Sequence, residues 1–122
     1  MKTASLNSIQ SDVRADYSKK VLFNVNELPH GGHMLQEVII PANTKQREHY
    51  HNIQTEVFYI TQGECSVFIN QKEFITKPGD AFVCEPKDTH YLWNKSDKDF
   101  HLIVFKINRP ENDEDSVWTP LN

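Results

Sequence analysis

The strongest constraint on the fold is a series of short β-like runs, each followed by turn-forming residues. The runs are rich in Val, Ile, Phe and Tyr, and Gly, Pro, Asn and Asp separate them. No segment has a sustained apolar period of 3.6 residues, so helices are at most short. Many short strands in one small chain predict an antiparallel sandwich or barrel. The runs are KKVLFNV, HMLQEVII, REHYH, EVFYIT, CSVFIN, KEFIT, DAFVCEP, HYLWN and FHLIVFKI.

The chain is short enough to form one domain around one core. Its 122 residues lie in the usual size range of a single domain. Residues 1–18 are polar and predict an N-terminal arm, residues 19–108 contain the strands, and residues 109–122 form an acidic, proline-bounded C-terminal tail. We expect the tail to lie on the surface, with Trp118 as the residue that could pack against the barrel.

Two histidines stand two positions apart in the segment HYHNIQTEVFYITQG, which spans residues 49–63. Side chains alternate along a strand, so His49 and His51 point to the same face and can bind one metal ion. Glu56 opens the next strand after a turn, and His90 follows a later loop. Three imidazoles and one carboxylate would suit one divalent transition metal: Fe, Mn, Ni, Co, Cu or Zn.

The spacing of these residues resembles the first motif of the cupin superfamily. That motif places two histidines two positions apart, then a glutamate after three or four residues, then a glycine after six more. His49, His51, Glu56 and Gly63 match it. The resemblance covers about residues 20–107 and implies a small jelly-roll β-barrel. It also implies that His49, His51, Glu56 and His90 are the metal ligands.

A second cupin motif is matched further along the chain, with two departures. Gly79 is followed by His90 after eleven positions and by Asn94 after four more. The proline that the motif places before a glycine lies one position late here, in the segment Pro86-Lys87-Asp88. The glycine that often precedes the first motif is Asn43, a residue that tolerates left-handed backbone geometry. Neither departure removes a metal-binding side chain.

Other residues are weaker candidates for chemistry. Arg47 shares the parity of His49 if the strand is regular there, and it could then bind a carboxylate or phosphate. The alternative is an arginine at the barrel rim that extends to water. Glu85, His101 and Tyr91 are candidates for a general base, although none has a compelling position. Lys45 shares the parity of Arg47 but lies further from the histidines.

Charge and composition exclude several classes of function. The formal net charge is −4, with no Lys/Arg-rich block, which disfavours a nucleic-acid partner and an anionic membrane surface. The apolar runs are far too short to span a bilayer, and the first twenty residues lack the apolar region of a secretory signal. These observations predict a cytoplasmic protein. Cys65 and Cys84 have no metal-type spacing and are expected to be buried free thiols.

The sequence leaves two functions open. The cupin resemblance implies a metal-dependent enzyme, of the dioxygenase or isomerase type, that acts on a small oxygen-rich organic substrate. The alternative is a non-catalytic cupin that binds or senses a small molecule such as a sugar. Shared motif residues bind the metal while the rest of the pocket selects the reaction, so the motifs do not separate these functions. Exposed sheet edges also predict a homodimer.

Overall fold

The fold is the all-β jelly roll that the sequence predicts. A computed structural model describes residues 1–112 and 114–120. Asp113, Leu121 and Asn122, which fall within the predicted tail, lie outside the described residues. The strands are β1 Asp12–Val13, β2 Ser18–Phe23, β3 Met34–Ile40, β4 Thr44–Lys45, β5 His49–His51, β6 Thr55–Gln62, β7 Cys65–Ile69, β8 Lys72–Thr76, β9 Ala81–Cys84, β10 His90–Asn94, β11 Phe100–Ile107 and β12 Ser116–Trp118, and one 3₁₀ turn covers Leu6–Ser8.

Two antiparallel sheets enclose the core. One sheet has the order β1-β2-β3-β11-β6-β9, and the other has the order β12-β5-β10-β7-β8, with β4 paired to β10. Burial alternates strictly along β3 and β11, as expected for strands with one face on the core. The buried apolar cluster draws on both sheets and includes Ile40, Ile60, Val67, Leu92 and Phe100. The described residues include no helix long and apolar enough to cross a membrane.

The N-terminal segment lies against the barrel. β1 pairs with β2, and β2 pairs with β3 of the same chain. The Lys20 ammonium donates a 3.0 Å hydrogen bond to the Leu6 carbonyl, and Asp16 is buried beside the Arg47 backbone N–H. β2 therefore lies between β1 and β3 of its own chain. The homodimer stays a prediction.

The C-terminal segment contributes a strand to the second sheet. β12 pairs antiparallel with β5, with Ser116 opposite His51 and Trp118 opposite His49. The buried carboxylate of Asp115 accepts hydrogen bonds from the backbone N–H groups of the loop between β5 and β6. Part of the acidic tail thus runs alongside the histidine strand.

The two cysteines lie in the core. Cys65 and Cys84 are both buried free thiols, in agreement with the sequence-based expectation. Burial raises the pKa of the Cys65 thiol to about 12, which keeps it protonated and unreactive at neutral pH.

Left-handed backbone geometry occurs at the turns that flank the site. Asn43 has a φ of 53°, so asparagine replaces the motif glycine without loss of the turn. Gly63 and Gly79 have φ values of +88° and +96°, a region that glycine enters without steric cost. A Cβ atom on Gly63 would lie 3.2 Å from the Asp99 carbonyl oxygen, whereas one on Gly79 would meet nothing within 4 Å.

The Gly63→Ala substitution is expected to destabilise the fold more than Gly79→Ala. Both variants bear the left-handed penalty of about 1–2 kcal/mol. Gly63→Ala adds an overpacking cost of about 1 kcal/mol or more, because backbone at Asp99 must move. Urea unfolding of the two variants measures the difference directly, and equal stabilities would contradict the predicted clash.

Candidate metal centre

The four ligand-type residues of the first and second motifs converge at one point. β5 carries His49 and His51, β6 carries Glu56 in its second position, and β10 begins with His90. His49 and His90 are register partners across β5 and β10. One nitrogen or carboxylate oxygen from each of the four residues lies within 4.8 Å of the others, and all four residues are buried. The strand alternation predicted from the spacing of the histidines therefore produces a single cluster.

Backbone carbonyls fix the orientation of two of the imidazoles. His49 Nδ1 lies 3.2 Å from the Arg47 carbonyl oxygen, and His90 Nδ1 lies 2.9 Å from the Asp88 carbonyl oxygen. A carbonyl oxygen only accepts hydrogen bonds, so each Nδ1 is the protonated nitrogen. In the neutral ring this leaves the Nε2 lone pair free for a metal, the arrangement expected of metal-binding histidines.

The third imidazole is oriented by the C-terminal strand. His51 Nδ1 lies 2.8 Å from the Ser116 hydroxyl oxygen, while His51 Nε2 contacts Glu56 Oε1. The same carboxylate oxygen lies 3.1 Å from His90 Nε2. The Nε2 atoms of His51 and His90 thus both face the Glu56 carboxylate, and Ser116 occupies the opposite side of the His51 ring.

The Glu56 carboxyl is ionised although it is buried. Burial by itself raises its pKa, but the charge of Lys106 and the hydrogen bonds with His51 and His90 hold the pKa well below its usual range. Lys106 is the direct register partner of Glu56 on β11. A buried carboxylate in this state is ready to bind a cation without first losing a proton.

The histidines differ in protonation. Burial and the neighbouring charge of His90 hold the pKa of His49 well below its usual range. Burial also lowers the pKa of His90, but its interactions with Cys84 and Glu56 outweigh that effect and raise it to about 10. His49 is therefore neutral at pH 7, while His90 retains a proton beside Glu56 that a bound metal would displace.

This donor set fits a divalent transition metal. Three imidazole nitrogens and one carboxylate oxygen suit borderline ions such as Fe(II), Mn(II), Ni(II), Co(II), Cu(II) or Zn(II). The Nδ1 atoms of the three rings all lie against protein oxygens, so the opposite nitrogens are available for coordination. The cluster could therefore hold a metal ion.

A small cavity with both polar and apolar lining residues adjoins the cluster. Its free volume of about 50 Å³ would hold only a few water molecules. The amide side chains of Gln36 and Gln46 are buried at its wall. The apolar part of the wall shields the four polar residues from bulk water and comprises Val38, Ile40, Phe58, Leu92, Leu102 and Val104.

Trp118 lies at the edge of the cluster. Its ring stacks on His49 with centroids 3.9 Å apart and an interplanar angle of 16°. The Arg47 guanidinium lies 4.8 Å from the centre of the Trp118 ring, and Tyr17 is parallel to the ring at 6.1 Å. The tryptophan therefore covers one face of the His49 ring and also lies close to the Arg47 guanidinium.

Arg47 does not line the cavity that holds the histidines. The chain is irregular between β4 and β5, so the alternation of β5 does not extend back to this residue. Gln46 takes the inward position, with its backbone N–H bonded to the Leu92 carbonyl. Arg47 instead lies near the buried Asp16 carboxylate, with Nε 3.5 Å from Oδ2.

The other weak candidates lie away from the cluster. His101 is on the outer face of β11, with Nδ1 3.6 Å from a Glu37 carboxylate oxygen. Tyr91 stacks on Phe68 at a centroid distance of 4.5 Å, and Glu85 is exposed in the turn after β9. None of these three belongs to the described cavity lining. Lys45 is exposed above the rings of Tyr91 and Trp93.

Two lysines also line the cavity, and neither is among the residues predicted from the sequence. Lys106 continues the inward positions of Leu102 and Val104 on β11, and it is only 7% exposed. Lys19 pairs with the inward Val38 across β2 and β3. A charged residue at an inward position of an alternating strand is the signal that could have identified Lys106, whereas burial along β2 does not alternate and gives no such signal for Lys19.

Comparisons with known proteins agree with this architecture. The chain is similar in structure to KdgF from a Halomonas species, with a TM-score of 0.78, 20% identity and coverage of 91% of this chain and 96% of that one. It is also similar to the polyketide cyclase RemF from Streptomyces resistomycificus, with a TM-score of 0.81, 16% identity and coverage of 100% and 87%. A predicted oxalate decarboxylase from Thermotoga maritima has a TM-score of 0.79 at 18% identity, with 87% and 98% covered.

Sequence comparison identifies the family of this chain. An uncharacterised protein of Methanocaldococcus jannaschii is 32% identical over 60 residues, which are 49% of this chain and 48% of that protein. The matched region thus spans about half the length of that curated relative. The model of the cupin domain family matches residues 36–106, more than half of the chain and the segment that holds all four clustered residues. This chain therefore belongs to the cupin family.

Proposed function

We propose that this protein is a metal-dependent enzyme that acts on a small oxygen-rich organic substrate inside the barrel, by dioxygenase or isomerase chemistry. The observation that supports the proposal most is the convergence of His49, His51, Glu56 and His90 within 4.8 Å next to a cavity. A bound divalent ion would supply Lewis-acid or oxygen-activating chemistry at this point. Two of the structural neighbours, a polyketide cyclase and a predicted oxalate decarboxylase, support the proposal of a catalytic cupin.

The residues of the chain contribute binding, orientation and shielding. Gln46 and Gln36 place buried amide groups at the cavity wall, where they can hydrogen-bond a polar substrate. The apolar wall excludes water and so strengthens every electrostatic interaction in the cavity. Lys106 lies across from Glu56 and can stabilise negative charge that develops on a substrate oxygen.

A binding or sensing cupin is the alternative, and one observation favours it. Glu85, His101 and Tyr91, the residues considered as general bases, lie outside the cavity lining. A site without a dedicated base suits reversible ligand binding as well as turnover. The two functions share the metal and differ in whether bound ligand is converted.

Metal analysis and turnover assays test the proposal. We expect the purified protein to retain about one divalent transition metal per chain, measured by elemental analysis. With Fe(II) bound, oxygen consumption is followed with vicinal diols, 2-hydroxy ketones and 2-oxo acids. With Mn(II) bound, exchange of substrate C–H for deuterium is followed by NMR.

The outcomes separate the two functions. Oxygen uptake or deuterium exchange that requires the metal supports the enzyme. Tight binding of these compounds without either reaction favours the binding protein. A wild-type protein that takes up none of the six candidate metals would overturn both.

A further inference from the structure

Five basic residues line the cavity or the depression beside it, although the chain has a net charge of −4. Lys19 and Lys106 line the cavity itself. Beside it lies a second depression of about 230 Å³, here called the mouth groove, which is lined by Arg14, Ala15, Tyr17, Lys19, Arg47, Arg109 and Trp118. The cavity and the mouth groove share Lys19, Tyr17 and Trp118, so they adjoin each other.

Lys106 is the most buried of these cations. It is 7% exposed, and its ammonium makes no hydrogen bond or ion pair with the residues that the structure describes. Glu56 is its register partner on β6, and the positive charge of Lys106 lowers the pKa of the Glu56 carboxyl. An ammonium at a cavity wall that has no hydrogen-bond acceptor among the described residues favours an anionic or strongly polar ligand in that cavity.

Lys19 faces the same space from β2. Burial and the positive charges of Lys106 and Arg14 lower its pKa, and Asp12, its register partner on β1, opposes this only in part. Like charges brought together without full compensation favour binding of an anion between them.

Carboxylates offset only part of this positive charge. Asp12 pairs with Arg14 through a 2.8 Å contact, and Asp16 lies beside Arg47. Glu56 belongs to the four-residue cluster, where its carboxylate contacts His51 and His90. The remaining cations, Lys19, Lys106 and Arg109, leave the cavity and the mouth groove electropositive.

We propose that the cavity and the mouth groove bind a small organic oxyanion whose carboxylate or phosphate group lies between Lys19 and Lys106. This assignment of substrate class rests on the proposed function, because the anion would be held beside the metal cluster. The cavity of about 50 Å³ admits only the charged head group and a few further atoms. The larger mouth groove, with the Trp118 ring and the Arg109 side chain, accommodates the rest of the molecule.

Calorimetric titration of the chelator-treated full chain tests the proposal, since removal of metal prevents direct coordination of the probe. The probes are malonate, inorganic phosphate and malonamide, a neutral analogue of malonate. We expect malonate or phosphate to bind and malonamide not to bind, with an affinity that falls as salt is added. Binding of only malonate identifies a carboxylate site, and binding of only phosphate identifies a phosphate site.

Substitutions connect the binding to the two lysines. Lys106→Met is expected to weaken anion binding at least about tenfold, the loss typical of a charged hydrogen bond, and Lys106→Arg to retain it. Lys19→Met provides a second variant at a residue that lies on β2 and is not the register partner of Glu56. The matched control is Lys98→Gln, an exposed lysine beyond the opposite end of β11.

Three results would overturn the proposal: no anion binding by the wild type, unchanged binding by both methionine variants, or equal binding of malonamide. Metal uptake is measured separately on the wild type. Loss of the proposed function and loss of the anion site are therefore distinguished in one set of samples.

Discussion

Replacing His51 with alanine is expected to abolish metal retention while leaving the β-fold in place. His51 is 4% exposed, and its Nε2 atom faces Glu56 within the four-residue cluster. Loss even of a group that only orients a ligand typically weakens metal affinity by about 10- to 100-fold. Loss of a ligand should exceed that range. Elemental analysis of the purified variant measures retained metal, and circular dichroism measures the fold.

The control is His101→Ala, which removes a histidine from the outer face of β11. His101 lies near Glu37 and outside the cavity lining, so this variant should retain metal at the wild-type level. Equal metal content in the His51→Ala and wild-type proteins would show that the ligand assignment is wrong. Metal loss in both variants would point to a general effect of histidine removal.

The position of the cluster could be predicted because it depends on strand geometry. Alternation along a strand requires His49 and His51 to share a face, and both are buried in β5. Glu56 and His90 follow from the motif spacing and the antiparallel pairing of β5 with β10. The choice of ring nitrogen could not be predicted, because it is set by the carbonyls of Arg47 and Asp88.

The contribution of the C-terminal segment could not be predicted from local sequence. β12 is a three-residue strand in an acidic, proline-flanked stretch, and such a short run has no periodicity to detect. Its place is set by pairing with β5, more than sixty residues earlier in the chain. Only that long-range contact places Ser116 on His51 and Trp118 on His49.

The alternation of side chains between the two faces of a strand does not predict their direction where the strand is interrupted. Arg47 lies in an irregular segment between β4 and β5, so Gln46 points inward in its place. In contrast, β11 is regular throughout, and its alternation carries Lys106 into the cavity beside Leu102 and Val104. The basic residue at the cavity therefore follows from the alternation of the regular strand β11 and not from the parity of Arg47.

Asp115→Ala is expected to destabilise the fold by about 2–3 kcal/mol and to weaken metal binding. The carboxylate accepts backbone N–H groups of Asn52, Ile53 and Gln54 at 3.0–3.1 Å. Hydrogen bonds to a charged group contribute about 1.5–3 kcal/mol each, and water can replace part of the loss. This loop joins the strand of His51 to the strand of Glu56, and urea unfolding measures its stability.

The stability difference between wild type and Asp115→Ala should also depend on pH. Burial by itself raises the pKa of Asp115, but hydrogen bonds from the backbone N–H groups of Ile53 and Gln54 outweigh this effect and hold the pKa below its usual range. A carboxyl whose pKa is lower in the folded state stabilises the fold above its unfolded pKa. That stabilisation is lost as pH falls through the folded pKa. The stability difference between wild type and Asp115→Ala should therefore be full at neutral pH and shrink in acid.

Two further variants separate the role of the charge from that of the acceptor oxygen. Asp115→Asn keeps one acceptor but no charge, so it should lose less stability than Asp115→Ala. Its stability difference from the wild type should also shrink in acid, because asparagine does not titrate. Asp97→Ala removes an exposed carboxylate and should leave stability nearly unchanged. Because Ser116 follows Asp115 and contacts His51, release of the loop should also loosen a ligand ring. Metal affinity of the folded Asp115→Ala protein should then fall about 10- to 100-fold, whereas unchanged affinity would limit the C-terminal strand to a stabilising role.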